Sequence, residues 1–217
     1  MEAYNTVVSF FQNGGPFMFP IALVFGVGLA IGIERWMYLS MARSRNSREW
    51  KKLAPILNDR DYERARANTA DSKAEVGQML NVGLDRFRTS RRRNDIEMAM
   101  EESLMDTMPR LEKRTHYLAT FANIATLLGL LGTIIGLIQA FTAVANANPA
   151  EKADLLSASI SVAMNTTAFG LMVAIPLLLL HAVLTSKTTS IIDSLEMATV
   201  RSTNIIFANE DRDRSEA

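Results

Sequence analysis

Two stretches of this sequence set hydroxyl, amide and very small side chains among apolar, uncharged neighbours. One is Gly129-Leu-Leu-Gly132-Thr133-Ile-Ile-Gly136; the other holds Ser157, Ser159, Ser161, Asn165, Thr166 and Thr167, followed by Gly170. Hydroxyl and amide groups donate and accept hydrogen bonds without gaining or losing charge near neutral pH. The chemistry open to them is therefore to line a polar path or to surround an ion. Neither 115–150 nor 155–186 contains an Asp, Glu, Lys or Arg, although intramembrane ionisable groups are the usual mark of a proton relay. If protons move here, the titrating group must come mostly from a partner.

At 100° per residue, Gly129, Gly132, Thr133 and Gly136 fall within an arc of about 100°, joined by Ala122, Ala125, Thr126, Ala140 and Ala143. A helix small along one face lets another backbone come close, so helix packing within or between chains explains the glycines without any ion. Single threonines in membrane helices commonly bond back to their own helix. Six hydroxyl or amide side chains between Ser157 and Thr167 exceed that need and favour a polar cavity or interface. Ala163, Thr167, Gly170, Ala174, His181 and Thr185 share a face.

The elements that must carry these residues follow from length and charge. The uncharged runs 115–150 and 155–186 have 36 and 32 residues, more than the ~20 needed to cross a bilayer core. A third, Pro16 to Ile33, has 18 and ends at Glu34-Arg35 and the interfacial pair Trp36 and Tyr38. Nothing basic precedes it and no small-residue cleavage pattern ends it, so it is expected to be an uncleaved helix. Pro16 and Pro20 lie near its start, where a missing backbone donor costs least. Of the 23 Lys and Arg, 18 fall between Arg35 and Arg114; by the positive-inside rule that segment is cytoplasmic. Zero net charge argues against a nucleic-acid binder, and the absence of Cys removes disulfides and thiolate metal sites.

The expected fold is all-α and integral to the membrane, with three long transmembrane helices extending into a helical cytoplasmic part. The segments are a periplasmic 1–15, a first span 16–40, a cytoplasmic helical loop 41–115, a second span 116–145, a short periplasmic connector 146–154, a third span 155–186, and a helical extension with a disordered tail at 187–217. An amphipathic repeat through Glu97, Met98, Met100, Glu101, Leu104, Met105, Met108 and Leu111 is expected to lead straight into the second span. Thr133 lies 13 residues before Asn146 and Thr167 lies 13 after Asp154. Both are thus about 20 Å below the outer surface, and their hydroxyls are expected at one level. Glu34 reads as an interfacial anchor or ion pair rather than a relay, and His181 as packed or interfacial.

Leu127-Leu-Gly-Leu-Leu-Gly-Thr-Ile-Ile-Gly-Leu137, Thr167-Ala-Phe-Gly-Leu-Met-Val-Ala-Ile-Pro176, and the Glu34-Arg35 pair after the first of three spans resemble the ExbB/TolQ/MotA proton-channel family. Three spans rather than four place the chain nearer ExbB and TolQ. The resemblance implies an inner-membrane homopentamer around a pore lined by the second and third helices. It implies an ExbD- or TolR-like single-span dimer inside, whose membrane Asp takes up and releases the proton, and coupling to a TonB-like or TolA-like periplasmic protein. On that match Thr133 and Thr167 are the pore threonines, with Thr166, Asn165 and Ser161 beside the path and Gly129, Gly132, Gly136, Gly170 and Pro176 shaping the helices. No cofactor or metal is implied. Val162 departs from the pattern, since ExbB and TolQ proteins typically carry Glu there, and so many oxygens at 165–167 also suit Na⁺; H⁺ is the favoured ion.

Other function classes stay open to the residues themselves. A TolQ-like envelope-maintenance motor, a sodium-driven stator-like unit and a non-conducting membrane scaffold are compatible. A solute transporter is disfavoured by the lack of an inverted repeat or a charged midplane site. No nucleophile and base pair, metal-ligand spacing or phosphate loop marks an enzyme.

Overall fold

The structure, a computed structural model, describes residues 14–216, with side chains through Ala208; the greater part of the 1–15 segment and Ala217 lie outside the described residues. The described chain is helical throughout: α1 (Met18–Asn58), α2 (Tyr62–Thr69), α3 (Glu75–Thr89), α4 (Arg93–Glu112), α5 (His116–Asn146) and α6 (Lys152–Glu216). Three helical stretches are long and apolar enough to cross a membrane, within Met18–Asn58, Arg93–Asn146 and Lys152–Ala208. Only 28, 22 and 28% of their most apolar windows is buried. Phe19, Leu23, Leu127, Ile138, Phe141 and Leu179 are each at least 60% exposed, a surface that water would penalise and lipid or other apolar helices would accept. This is the architecture of a membrane protein.

Two helices outrun their apolar stretches. α1 continues from the first span to Asn58 without interruption, and α6 runs for 65 residues. After Pro176, α6 contains neither Gly nor Pro, so nothing local ends it; it includes residues 209–216, a polar end that composition alone marks as unstructured. The amphipathic segment differs from expectation in two ways. α4 buries Ile96, Ala99, Met100, Leu104, Thr107 and Leu111, while Met98 and Met105 are exposed. Nor does it lead straight into α5: Lys113–Thr115 separate them, with Arg114 at φ 65°.

By its contacts the chain divides into two compact units. The first comprises the described residues through Glu34 together with Arg114–Val183. There Gly28 and Gly32 of α1 lie against Leu177 and Leu180 of α6; a Cβ on Gly28 would come within 2.8 Å of Leu177 Cδ2. Gly28 and Gly32, four residues apart, form a small-residue interface of the kind that membrane helices use. Glu34 and Arg114 form an ion pair at 3.4 Å, about half exposed on each side.

The second unit holds Arg35–Lys113 and the chain from Leu184 on. Its core includes Leu53, Leu57, Met79, Leu80, Ile96, Met100 and Ile191, each at most 2% exposed. Polar contacts seat its helices. Asn46 of α1, itself buried, accepts a hydrogen bond from the Val76 backbone N–H at 3.2 Å, occupying one of the unpaired donors in the first turn of α3. Thr199 of α6 donates to Met79 Sδ at 3.0 Å and Arg93 donates to Asn204 Oδ1 at 2.6 Å. Arg35 is 2% exposed, and its guanidinium donates to the carbonyls of Arg110, at 3.3 Å, and Leu111 in the last turn of α4. A cation there satisfies carbonyls that the helix leaves open and complements its dipole.

Candidate functional site

The site lies between α5 and α6. On α5 the buried positions are Leu118, Ala122, Ala125, Gly129, Gly132 and Ala140, spaced three and four residues apart apart from the wider step around half-buried Gly136. The facing residues of α6 come close enough to touch backbone. A Cβ on Gly129 would stand 3.3 Å from the Cα atoms of Gly170 and Thr167, and one on Gly170 would stand 2.7 Å from the Ala125 carbonyl oxygen. At Gly136 it would reach the Ala163 Cβ at 2.9 Å. The glycines therefore set how near the two helices lie.

That approach brings hydroxyls together. Thr133 donates to the Gly129 carbonyl one turn back at 3.0 Å, and Thr167 donates to the same carbonyl across the interface at 2.9 Å. The two hydroxyl oxygens are also in hydrogen-bond contact with each other, and either atom can be the donor. The matched depths expected from helix rise agree with this contact. Each hydroxyl has one proton, so the set has alternative patterns. In one, both protons point to the Gly129 carbonyl; in the other, one hydroxyl bonds its neighbour while the neighbour bonds the carbonyl. In every pattern oxygen lone pairs remain, and both threonines are half-buried rather than enclosed, so another group can reach the pair.

The other oxygens do not converge there. Thr166, 2% exposed, donates to the Gly14 carbonyl at 2.6 Å and is also within 3.0 Å of the Val162 carbonyl. Its methyl and Cβ fill the space beside Gly132, next to Phe17. Thr166 thus faces the segment leading into α1 and serves that packing. Asn165 is half-exposed, Ser161 and Pro176 are exposed, and His181 is half-exposed further along α6. Val162 lies against Gly15, whose φ of 72° is left-handed backbone suited to glycine. Two packing features were not singled out from sequence. The Gly28–Gly32 spacing was legible as a small-xxx-small pattern, whereas nothing local marks the Gly14 carbonyl as the partner of Thr166.

A family model described as the MotA/TolQ/ExbB proton channel family matches residues 71–197, more than half of the chain. The chain belongs to this family. It is 28% identical over 200 residues to the ExbB homologue of Methanothermobacter thermautotrophicus, covering 89% of this chain and 68% of the relative. It is 31% identical over 179 residues to the ExbB-like protein 1 of Synechocystis, covering 81% and 69%. The Tol-Pal system protein TolQ of Haemophilus influenzae is 36% identical over 78 residues, 36% of this chain and 34% of that protein. The family is one of proton channels, and within it this chain, with its three long apolar helical stretches, is ExbB-like.

Proposed function

We propose that this chain is the ion-channel subunit of a membrane motor. It works as a homo-oligomer, a pentamer by analogy with the family, in the bacterial inner membrane, with the N-terminus periplasmic and the C-terminus cytoplasmic. The observation that carries the reading is the Thr133–Thr167 hydroxyl pair sharing the Gly129 carbonyl, in stretches, 115–150 and 155–186, that contain no Asp, Glu, Lys or Arg. Such a pair can accept a hydrogen bond from a protonated carboxyl and, by turning a hydroxyl away from Gly129, donate one to a carboxylate. It can therefore hold a partner's acid in both protonation states, as a carboxyl that carries one proton per cycle requires.

The partner is a single-span protein of the ExbD or TolR kind bearing a membrane Asp, and the output is a TonB-like protein serving outer-membrane import. The names of the relatives, ExbB and TolQ, support these assignments, and a TolA-like output is the corresponding alternative. The ion is H⁺. Thr166 spends its hydroxyl on Gly14, so the threonine pair lacks the additional oxygens that a Na⁺ cage would gather. Val162 has no proton to exchange, which leaves the transfer to the partner's carboxyl.

Thr133→Val and Thr167→Val test the reading in liposomes that contain this chain with its single-span partner. Proton uptake driven by an imposed gradient is expected to fall to background in either variant while the assembled mass is unchanged. Full uptake with Val at both positions would sink the assignment and favour a non-conducting scaffold. That scaffold needs only the glycine seam.

A further inference from the structure

On the second unit, where α1 leaves its apolar run, an open cleft of about 510 Å³ is lined by four cations, Arg43, Arg48, Lys51 and Lys187. Three hydroxyls, Ser40, Ser44 and Ser47, complete its lining. No carboxylate lines it. Ser40, Ser44, Ser47 and Lys51 recur at helical spacing on one side of α1, and two of the cations are held over them. Lys187 donates to Ser40 Oγ at 2.6 Å and stands 3.9 Å from the centre of the Trp36 ring. Arg48 donates to Ser44 Oγ from both Nη2, at 2.8 Å, and Nε, at 3.2 Å. An adjoining cleft of about 460 Å³ shares Ser40, Ser44 and Arg48 and adds Tyr38, Met41 and Arg45. Met37 and Met41 are 56 and 55% exposed.

We infer that this cleft binds the headgroup of an anionic phospholipid, with an acyl chain lying along Met37 and Met41. Converging cations and hydroxyl donors without a carboxylate match a phosphodiester. An indole held beside an ammonium group belongs at headgroup depth, and Ser40 is one helical turn beyond Trp36, about 6 Å along the axis. Exposed apolar surface at Met37 and Met41 leads to the charges, as a lipid requires and a soluble anion does not. Serines held against Arg48 and Lys187 orient the cations in advance, which distinguishes the cleft from basic side chains that merely follow a span. The inference rests on the three apolar helices crossing a bilayer and is independent of the threonine pair.

The full chain, purified in detergent with any subunits it retains, can be examined by native mass spectrometry with added phosphatidylglycerol or phosphatidylcholine of matched acyl chains. Preferential retention of phosphatidylglycerol is expected, reduced about fivefold by Arg48→Gln and again by Lys187→Gln, from the usual worth of one basic side chain near an anionic lipid surface. Ser44→Ala, which frees Arg48, is expected to reduce it by a smaller factor. Arg64→Gln and Arg86→Gln, exposed in the same charged segment, should leave it unchanged. Equal retention of the two lipids by the unaltered protein overturns the proposal without any variant. So does an equal loss in the two control variants, which would make the attraction diffuse, or displacement of the lipid by millimolar inorganic phosphate, which would make the cleft a soluble-anion site.

Discussion

Replacing Gly170 by Ala tests whether backbone proximity sets the threonine geometry. In a helix without tertiary contacts this change favours folding by roughly 1 kcal/mol, because Ala is the better helix former. Here the new Cβ would stand 2.7 Å from the Ala125 carbonyl oxygen and 3.1 Å from the Gly129 Cα, where ordinary contact begins at 3.4 Å. Both obstacles are backbone, so no side chain can turn aside. Restoring contact needs α5 and α6 to part by about 0.7 Å. A parting of that size along the bond would lengthen the 2.9 Å Thr167–Gly129 hydrogen bond to about 3.6 Å, which is no longer a bond. Overpacking of this kind costs about 1–3 kcal/mol, and the lost interhelical bond about 0.6 kcal/mol more. The expected net effect is a loss, opposite in sign to propensity. Gly26→Ala is the internal control, since a Cβ there meets nothing within 4 Å. Thermal unfolding of the purified protein in one detergent should place Gly170→Ala below the unaltered chain and Gly26→Ala at or above it. An unchanged or raised midpoint for Gly170→Ala would refute the claim that the glycines fix the helix separation.

Two further outcomes concern the second unit. Arg35→Met keeps most of the side-chain volume but removes the donors to the Arg110 and Leu111 carbonyls; a loss of about 1.5–3 kcal/mol is expected for these charged hydrogen bonds, read as a lower midpoint in chemical denaturation, with Arg35→Lys recovering part of it. Asn46→Ala leaves the Val76 N–H without its acceptor and is expected to cost about 1 kcal/mol, as for a lost helix cap, with faster amide exchange confined to the first turn of α3.

The long apolar runs were legible because a bilayer imposes length and excludes charge, and the start of α5 near His116 followed from where charge stops. The break at Lys113–Thr115 was not, because Arg114 adopts its φ of 65° without a glycine or proline to announce it. The exposed Met98 and Met105 misled the reading of α4 because methionine is apolar by type yet flexible enough to serve on a surface. At the site, equal distances from the short connector were enough to bring Thr133 and Thr167 to one level. Thr166 was grouped with them by adjacency, but neighbouring residues on a helix point about 100° apart, and only knowledge of what lies on each side shows that one faces α5 and the other Gly14. Arg35 carried a readable signal, a cation directly after a span, but its burial against the end of α4 depends on a contact 76 residues away.

Two hydroxyls that both reach the Gly129 carbonyl and also reach each other have more than one proton arrangement over a fixed set of oxygens, much as the protons of ice do. Exchange among its arrangements needs hydroxyl rotation and no backbone movement. The fixed member of the set is the Gly129 carbonyl, which points along the axis of α5 toward its C-terminal end as helix carbonyls do, so every arrangement keeps one direction along that helix.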